Sequence, residues 1–182
     1  MAKIVSSTYG EALFSLALEE NRIDAFLEET DLLQKTLALN PEFSEVINHP
    51  KITKEEKISM VKAVFEGKLS AEMTGFLILL VQKDRYSEID GILAYFVSKV
   101  KEYKGIGVAT VTSATELKAA QKEEVRKALL RTTGYKSMEI EFKTDAQLIG
   151  GMIIRIGDRV VDGSVSTKLA GLKKELAAVQ VG

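Results

Sequence analysis

The chain has 182 residues, 46% of them apolar and 28% charged, with 2 prolines, no cysteine, one histidine and a net charge of −1. That composition excludes intrinsic disorder, disulfides and thiolate chemistry, and the lack of a basic excess argues against a general nucleic-acid binder. A lone histidine, His49, gives Ser-His-Asp catalysis and multi-histidine metal sites little to build on. The longest uncharged apolar run, Phe76 to Val81, is six residues, far short of the ~20 that span a bilayer. Met1 to Ser7 lacks the hydrophobic core of a signal peptide, so the chain is expected to stay in the compartment where it is made.

The first helix is predicted from about Val5 to Glu20, with Ser6 or Ser7 as its cap. A second runs from near Arg22 to Leu39, and Asn40-Pro41 breaks it and opens a short third helix through Ile47. Thr53 and Glu56 have capping-box spacing and start a fourth helix through Phe65. Gly67 stops it, and Ser70 caps a fifth helix to about Gln82. Ser87-x-x-Asp90 opens a sixth, with Ile89, Ile92, Leu93, Phe96, Val97, Val100 and Tyr103 on one stripe. Six helices with short connections predict a compact bundle.

The pattern changes near Lys104-Gly105. Residues 1–104 carry 13 basic and 17 acidic side chains, whereas 105–182 carry 12 and 9. Ile106–Thr112 is rich in β-branched residues and reads as a strand, and Glu116–Arg131 as a helix ended by Gly134. Met138–Phe142 alternates; Gly151–Ile156 and Arg159–Asp162 read as strands joined by a two-residue turn at Gly157-Asp158. Ser164 caps a last helix whose Val165, Leu169, Leu172, Leu176 and Val179 form a seam. The expected fold is therefore α+β: a helical unit over 1–104 and a small α/β unit over 105–182 with a short sheet and two helices.

The first and fifth helices carry more apolar surface than one buried stripe requires. At ~100° per residue, Tyr9, Ala12, Leu13, Phe14, Leu16, Ala17 and Leu18 cover a wide arc, and Met73 with Phe76 to Val81 encircles the fifth helix. A helix at the centre of its bundle would account for the fifth. If both helices lie side by side, their surplus faces form a groove suited to an amphipathic helix from a partner. That points to an adaptor.

The segment Gln147 to Asp158 has glycines but no G-x-x-x-x-G-K-[ST] pattern, and they precede a strand instead of following one. A bulge at Gly150-Gly151 is the expectation, and a phosphate-holding enzyme the minor rival. Glu28-Glu29, Glu55-Glu56 and Glu123-Glu124 are adjacent on helices and diverge by ~100°, so they read as solvated faces. Lys122, Arg126, Lys173 and Lys174 are interspersed with glutamates, which disfavours a nucleic-acid site.

Together with Gly163-Ser164-Val165-Ser166-Thr167-Lys168-Leu169, that glycine segment closely resembles the signature of the delta subunit of F-type ATP synthases, the family of the mitochondrial oligomycin-sensitivity-conferring protein. Tyr9-Gly10-Glu11-Ala12-Leu13-Phe14, Asn48-His49-Pro50 with Lys54 and Lys57, and Lys83-Asp84-Arg85 resemble the same family elsewhere, over the full length. The resemblance implies a non-catalytic stator protein without cofactor or metal, peripheral at the cytoplasmic face of the plasma membrane and not inserted in it. It implies that the helical unit holds the N-terminal helix of an alpha subunit in a groove at Tyr9, Ala12, Leu13, Phe76 and Leu79. It further implies that the second unit meets the C-terminal end of the b-subunit stalk, with Leu169, Leu172 and Leu176 as candidates. Those leucines equally fit a role closing the small sheet. A free-standing helix-capturing adaptor is the alternative. Phe76→Asp is expected to abolish binding and leave the fold intact.

Overall fold

A computed structural model describes residues 2–157 and 159–163. The chain divides into two units, 1–101 and 102–182, so the division falls inside the last turn of the sixth helix, just before Lys104-Gly105.

The first unit is built from α1 (Ala2–Glu19), α2 (Ile23–Leu39), α3 (Pro41–Asn48), α4 (Lys54–Phe65), α5 (Ala71–Gln82) and α6 (Ile89–Lys104). Their boundaries follow local chemistry. At α4, the Thr53 hydroxyl accepts from the Glu56 amide at 3.3 Å while the Glu56 carboxylate accepts from the Thr53 amide at 3.0 Å, which closes the capping box. At α5, the Ser70 hydroxyl accepts from the Met73 amide at 3.2 Å. Two expected caps are not caps. Helix α1 begins at Ala2, and the Ser7 and Thr8 hydroxyls donate back to the Ile4 carbonyl inside it. Ser87 lies within a 3-10 turn, Tyr86–Glu88, that precedes α6.

The six helices share one apolar core. Leu13 and Ala17 of α1, Phe26 and Leu33 of α2, Ile47 of α3, Val61 of α4, Leu77 and Leu80 of α5, and Ile92, Leu93 and Phe96 of α6 are all buried in it. Phe43 packs edge-on against Phe65 and Tyr86, with ring centroids 5.6 and 6.4 Å apart. Of the stripe predicted for α6, Tyr103 departs: it is 61% exposed, because it falls in the last turn, beyond the shared core.

Gly105, at φ +70°, ends α6 and leads into the sheet of the second unit. There β1 (Ile106–Ser113) and β2 (Ser137–Thr144) pair in parallel, joined by α7 (Ala119–Thr133). Strand β3 (Met152–Ile156) runs antiparallel on the other side of β1, and β4 (Arg159–Asp162) returns beside β3, giving the order β2-β1-β3-β4. Ile156 pairs with Arg159, as a two-residue turn requires. The helix expected after Ser164, with Leu169, Leu172 and Leu176, lies outside the described residues. Gly150 and Gly151 form no bulge. They lie in the connection ahead of β3, where Ile149 at φ +61° and Gly151 at φ +79° turn the chain after the 3-10 segment Ala146–Leu148.

Candidate partner-binding site

Helix α1 is fixed against α6 by two glycines. A Cβ on Gly10 would stand 2.5 Å from Tyr95 Cδ1 and 3.1 Å from the Ile92 carbonyl oxygen, and one on Gly91 would stand 2.5 Å from Ser6 Oγ. These positions let the helices cross closely. Beside the crossing, Tyr95 Oη donates to Glu11 Oε2 at 3.0 Å, and Lys99 Nζ lies 3.4 Å from the same oxygen. Helix α6 therefore occupies the Gly10–Glu11 flank of α1. At ~100° per residue, Tyr9, Ala12 and Leu16 fall on the opposite flank.

Helix α5 is held at its start by a polar cluster. Glu29 Oε2 accepts from the Ser70 amide at 3.1 Å and from its hydroxyl at 2.7 Å, and Arg22 pairs with Glu29 and Glu72 at 3.8 and 3.3 Å. From there Met73, Thr74, Phe76, Leu77, Leu80 and Val81 turn into the core. The excess hydrophobicity of this helix is therefore mostly its central position. What is left outward is a strip about 120° wide, made by Ala71, Glu72, Gly75, Ile78, Leu79 and Gln82, in which Ile78 and Glu72 are half-buried and the one charge, on Glu72 at the strip's edge, pairs with Arg22.

The expected groove residues divide accordingly. Leu79 is 38% exposed, Ala12 is exposed and Tyr9 is half-buried. Leu13 is fully enclosed and Phe76 is 7% exposed, so neither presents surface to a partner. The expectation for Phe76→Asp is corrected on the same ground. It would place an unpaired carboxylate in the core, at a cost of several kcal/mol, and would not leave the fold intact. Sequence reasoning missed Gly75. Its signal was a glycine inside a helix, and a Cβ there would meet nothing within 4 Å, so the fold itself does not require it.

Elsewhere the chemistry is bland. No group of three or more His, Asp or Glu side chains among the described residues could hold a metal ion. His49 is exposed, and its Nδ1 accepts from the Lys51 amide at 3.3 Å, which shapes the turn between α3 and α4. No helix among the described residues is long and apolar enough to cross a membrane. An open cleft of about 260 Å³, lined by Thr36, Leu37, Asn40, Phe43, Val64 and Lys68 among others, lies between α2, α3 and α4, away from the α1 and α5 faces.

Comparison with known proteins bears on what this scaffold is. A family model described as the ATP synthase delta (OSCP) subunit matches residues 5–176. An ATP synthase subunit delta of Lachnoclostridium phytofermentans is 50% identical over the full length of both chains. Another, of Desulforamulus reducens, is 38% identical over 94% of each. A chain in the cryo-EM structure of the Toxoplasma gondii mitochondrial ATP synthase hexamer superposes with a TM-score of 0.74 at 18% identity, covering 94% of this chain and 97% of that one; this likeness shows the fold. On the family match and the full-length identity, the chain belongs to the ATP synthase delta (OSCP) subunit family.

Proposed function

We propose that the outward faces of α1 and α5 hold the N-terminal helix of an ATP synthase alpha subunit. In this reading the six helices act as one bundle on the catalytic head, over residues 1–104, and the unit over 105–182 engages the C-terminal end of the b-subunit stalk. As a member of its family the chain is a structural component of the peripheral stalk and has no catalytic task. Its place is peripheral, at the cytoplasmic face of the plasma membrane.

The observation that carries the reading is the outward strip of α5, whose one charge, on Glu72 at its edge, is already paired with Arg22. Leu79 exposes 38% of its surface beside Gly75, whose missing side chain leaves open space. In this reading Tyr9 and Ala12 of α1 meet the same partner helix, with Leu13 and Phe76 as rigid backing. The mechanical logic favours such a surface. A connector that resists rotor torque needs slow dissociation, and affinity differences lie mostly in the off-rate. Small residues let a third helix come close, and a partly exposed leucine gives it an anchor.

Calorimetric titration of the full chain with a synthetic alpha N-terminal peptide tests the proposal. Leu79→Asp weakens binding more than tenfold, while Val46→Asp, on an exposed apolar position of α3, leaves it unchanged. A folded Leu79→Asp chain that binds the peptide like the wild type defeats the assignment.

A further inference from the structure

The open cleft of about 260 Å³ between α2, α3 and α4 continues into a second hollow of about 90 Å³, and the two share Thr36, Val64, Phe65 and Lys68. Their floor is apolar and fixed, since Leu33, Leu37 and Phe65 are buried in the core of the helical unit. Phe43 closes one side, its ring held edge-on to that of Phe65. The polar side chains of the α2 wall are already donating within their own helix end. The Thr36 hydroxyl donates to the Leu32 carbonyl and the Asn40 side-chain amide to the Thr36 carbonyl, each at 2.8 Å. Lys68 differs. Gly67, at φ +80°, turns the chain after α4, and the amides of Lys68 and Leu69 both donate to the Phe65 carbonyl at 3.0 Å, which returns Lys68 to the rim. It is the one charged side chain lining either hollow, and it has no ion-pair partner among the described residues.

We infer that this cleft binds a free medium-chain carboxylic acid, with its carboxylate at Lys68 and its chain laid over Leu37 and Phe65 between Thr36 and Val64. An apolar hollow with one unopposed cation at its rim is complementary to an apolar body that carries a single negative charge. The size sets the chain length. Taking a methylene as about water-sized, ~30 Å³, the larger hollow holds roughly eight or nine such groups, the tail of an acid near decanoate. None of these residues belongs to the α1 and α5 faces, so a failure here leaves the alpha-binding reading untouched.

The probe is decanoate, titrated into the ¹⁵N-labelled full chain below the concentration at which it self-associates. Amide shifts are expected at Thr36, Val64 and Lys68, with Ala12, Gly75 and Leu79 silent. From hexanoate to decanoate each added carbon tightens binding about two- to fourfold, and dodecanoate gains nothing further because the hollow is full. Lys68 is exposed and away from the floor, so Lys68→Glu keeps the fold. It weakens decanoate about tenfold and leaves the neutral analogue decanol unchanged. Val64→Phe fills the cleft from its wall and removes the binding of both. No shift up to about 1 mM decanoate, equal affinity in Lys68→Glu, or affinity that keeps climbing at dodecanoate overturns the inference. Shifts of the same amides on simple dilution of the chain assign the cleft to a second copy, and overturn it too.

Discussion

Gly10 and Gly75 both sit inside helices, and neither has a positive φ. Replacing either by alanine gains about 1 kcal/mol of helix propensity. The structure predicts opposite outcomes from this identical change. At Gly75 the new methyl meets nothing within 4 Å, so the whole gain is realised; for a helical unit of this size that is a rise of roughly 4–8 °C in Tm. At Gly10 the methyl would lie 2.5 Å from Tyr95 Cδ1, 3.1 Å from Tyr95 Cβ and 3.1 Å from the Ile92 carbonyl oxygen. The ring cannot swing freely because its hydroxyl is bonded to Glu11. Overpacking of this kind costs about 1–3 kcal/mol, which cancels or exceeds the propensity gain and leaves a net loss of up to ~2 kcal/mol. Urea unfolding of the full chain followed by helical circular dichroism reads both values from midpoints at unchanged slope. Gly10→Ala stabilising as much as Gly75→Ala refutes the tight α1–α6 crossing. A destabilised Gly75→Ala chain means that the outer face of α5 is already covered in the free protein, and the docking face is then not open.

Other outcomes follow from single groups. Leu79→Ala removes a side chain with 38% of its surface left for a partner to bury; at about 1.5–3 kcal/mol for full burial, peptide affinity falls roughly 3–7-fold, and no change contradicts the contact. Thr30 Oγ1 is buried without a hydrogen-bond partner, so Thr30→Val raises stability by about 1 kcal/mol, measurable as a higher urea midpoint. The Thr53 amide and hydroxyl hold the Glu56 carboxyl below its ordinary range, and Lys54 does the same for Asp84. A carboxylate whose pKa is lowered by folding stabilises above its unfolded pKa and loses that contribution as pH falls through the folded value. Urea midpoints therefore decline below about pH 4, and Thr53→Ala makes the decline shallower. Burial pushes the Tyr86 phenol up to about 12, so the absorbance difference between wild type and Tyr86→Phe shows a phenolate appearing near pH 12; ionisation near pH 10 refutes its enclosure.

Much of the helical unit was legible because its boundaries are made by neighbouring residues. The Thr53–Glu56 box, the Ser70 cap and the Gly105 turn each close within four positions of chain. The serines at 6, 7 and 87 misled for a matching reason: a hydroxyl at a plausible start is no cap when the helix begins earlier or a 3-10 turn precedes it. The site was half legible. Apolar excess on α5 signalled burial on most sides first and a free strip second, and the wheel alone does not separate Phe76, which packs inward, from Leu79, one step of 3 further round. Tertiary neighbours decide that, as they decide that Leu13 is enclosed while Ala12 is not. Gly75 carried the sharper signal, since a helical glycine with no close neighbour has no intramolecular cause. The strand order β2-β1-β3-β4 was not legible, because parallel pairing across α7 leaves no local mark.

The most direct test is to titrate the ¹⁵N-labelled full chain with an alpha N-terminal peptide and map the amide shifts. The account predicts perturbations along Tyr9, Ala12 and Leu16 of α1 and Ala71, Gly75 and Leu79 of α5. Shifts centred instead on Thr36, Val64 and Lys68 in the cleft between α2, α3 and α4, with α1 and α5 silent, would contradict it.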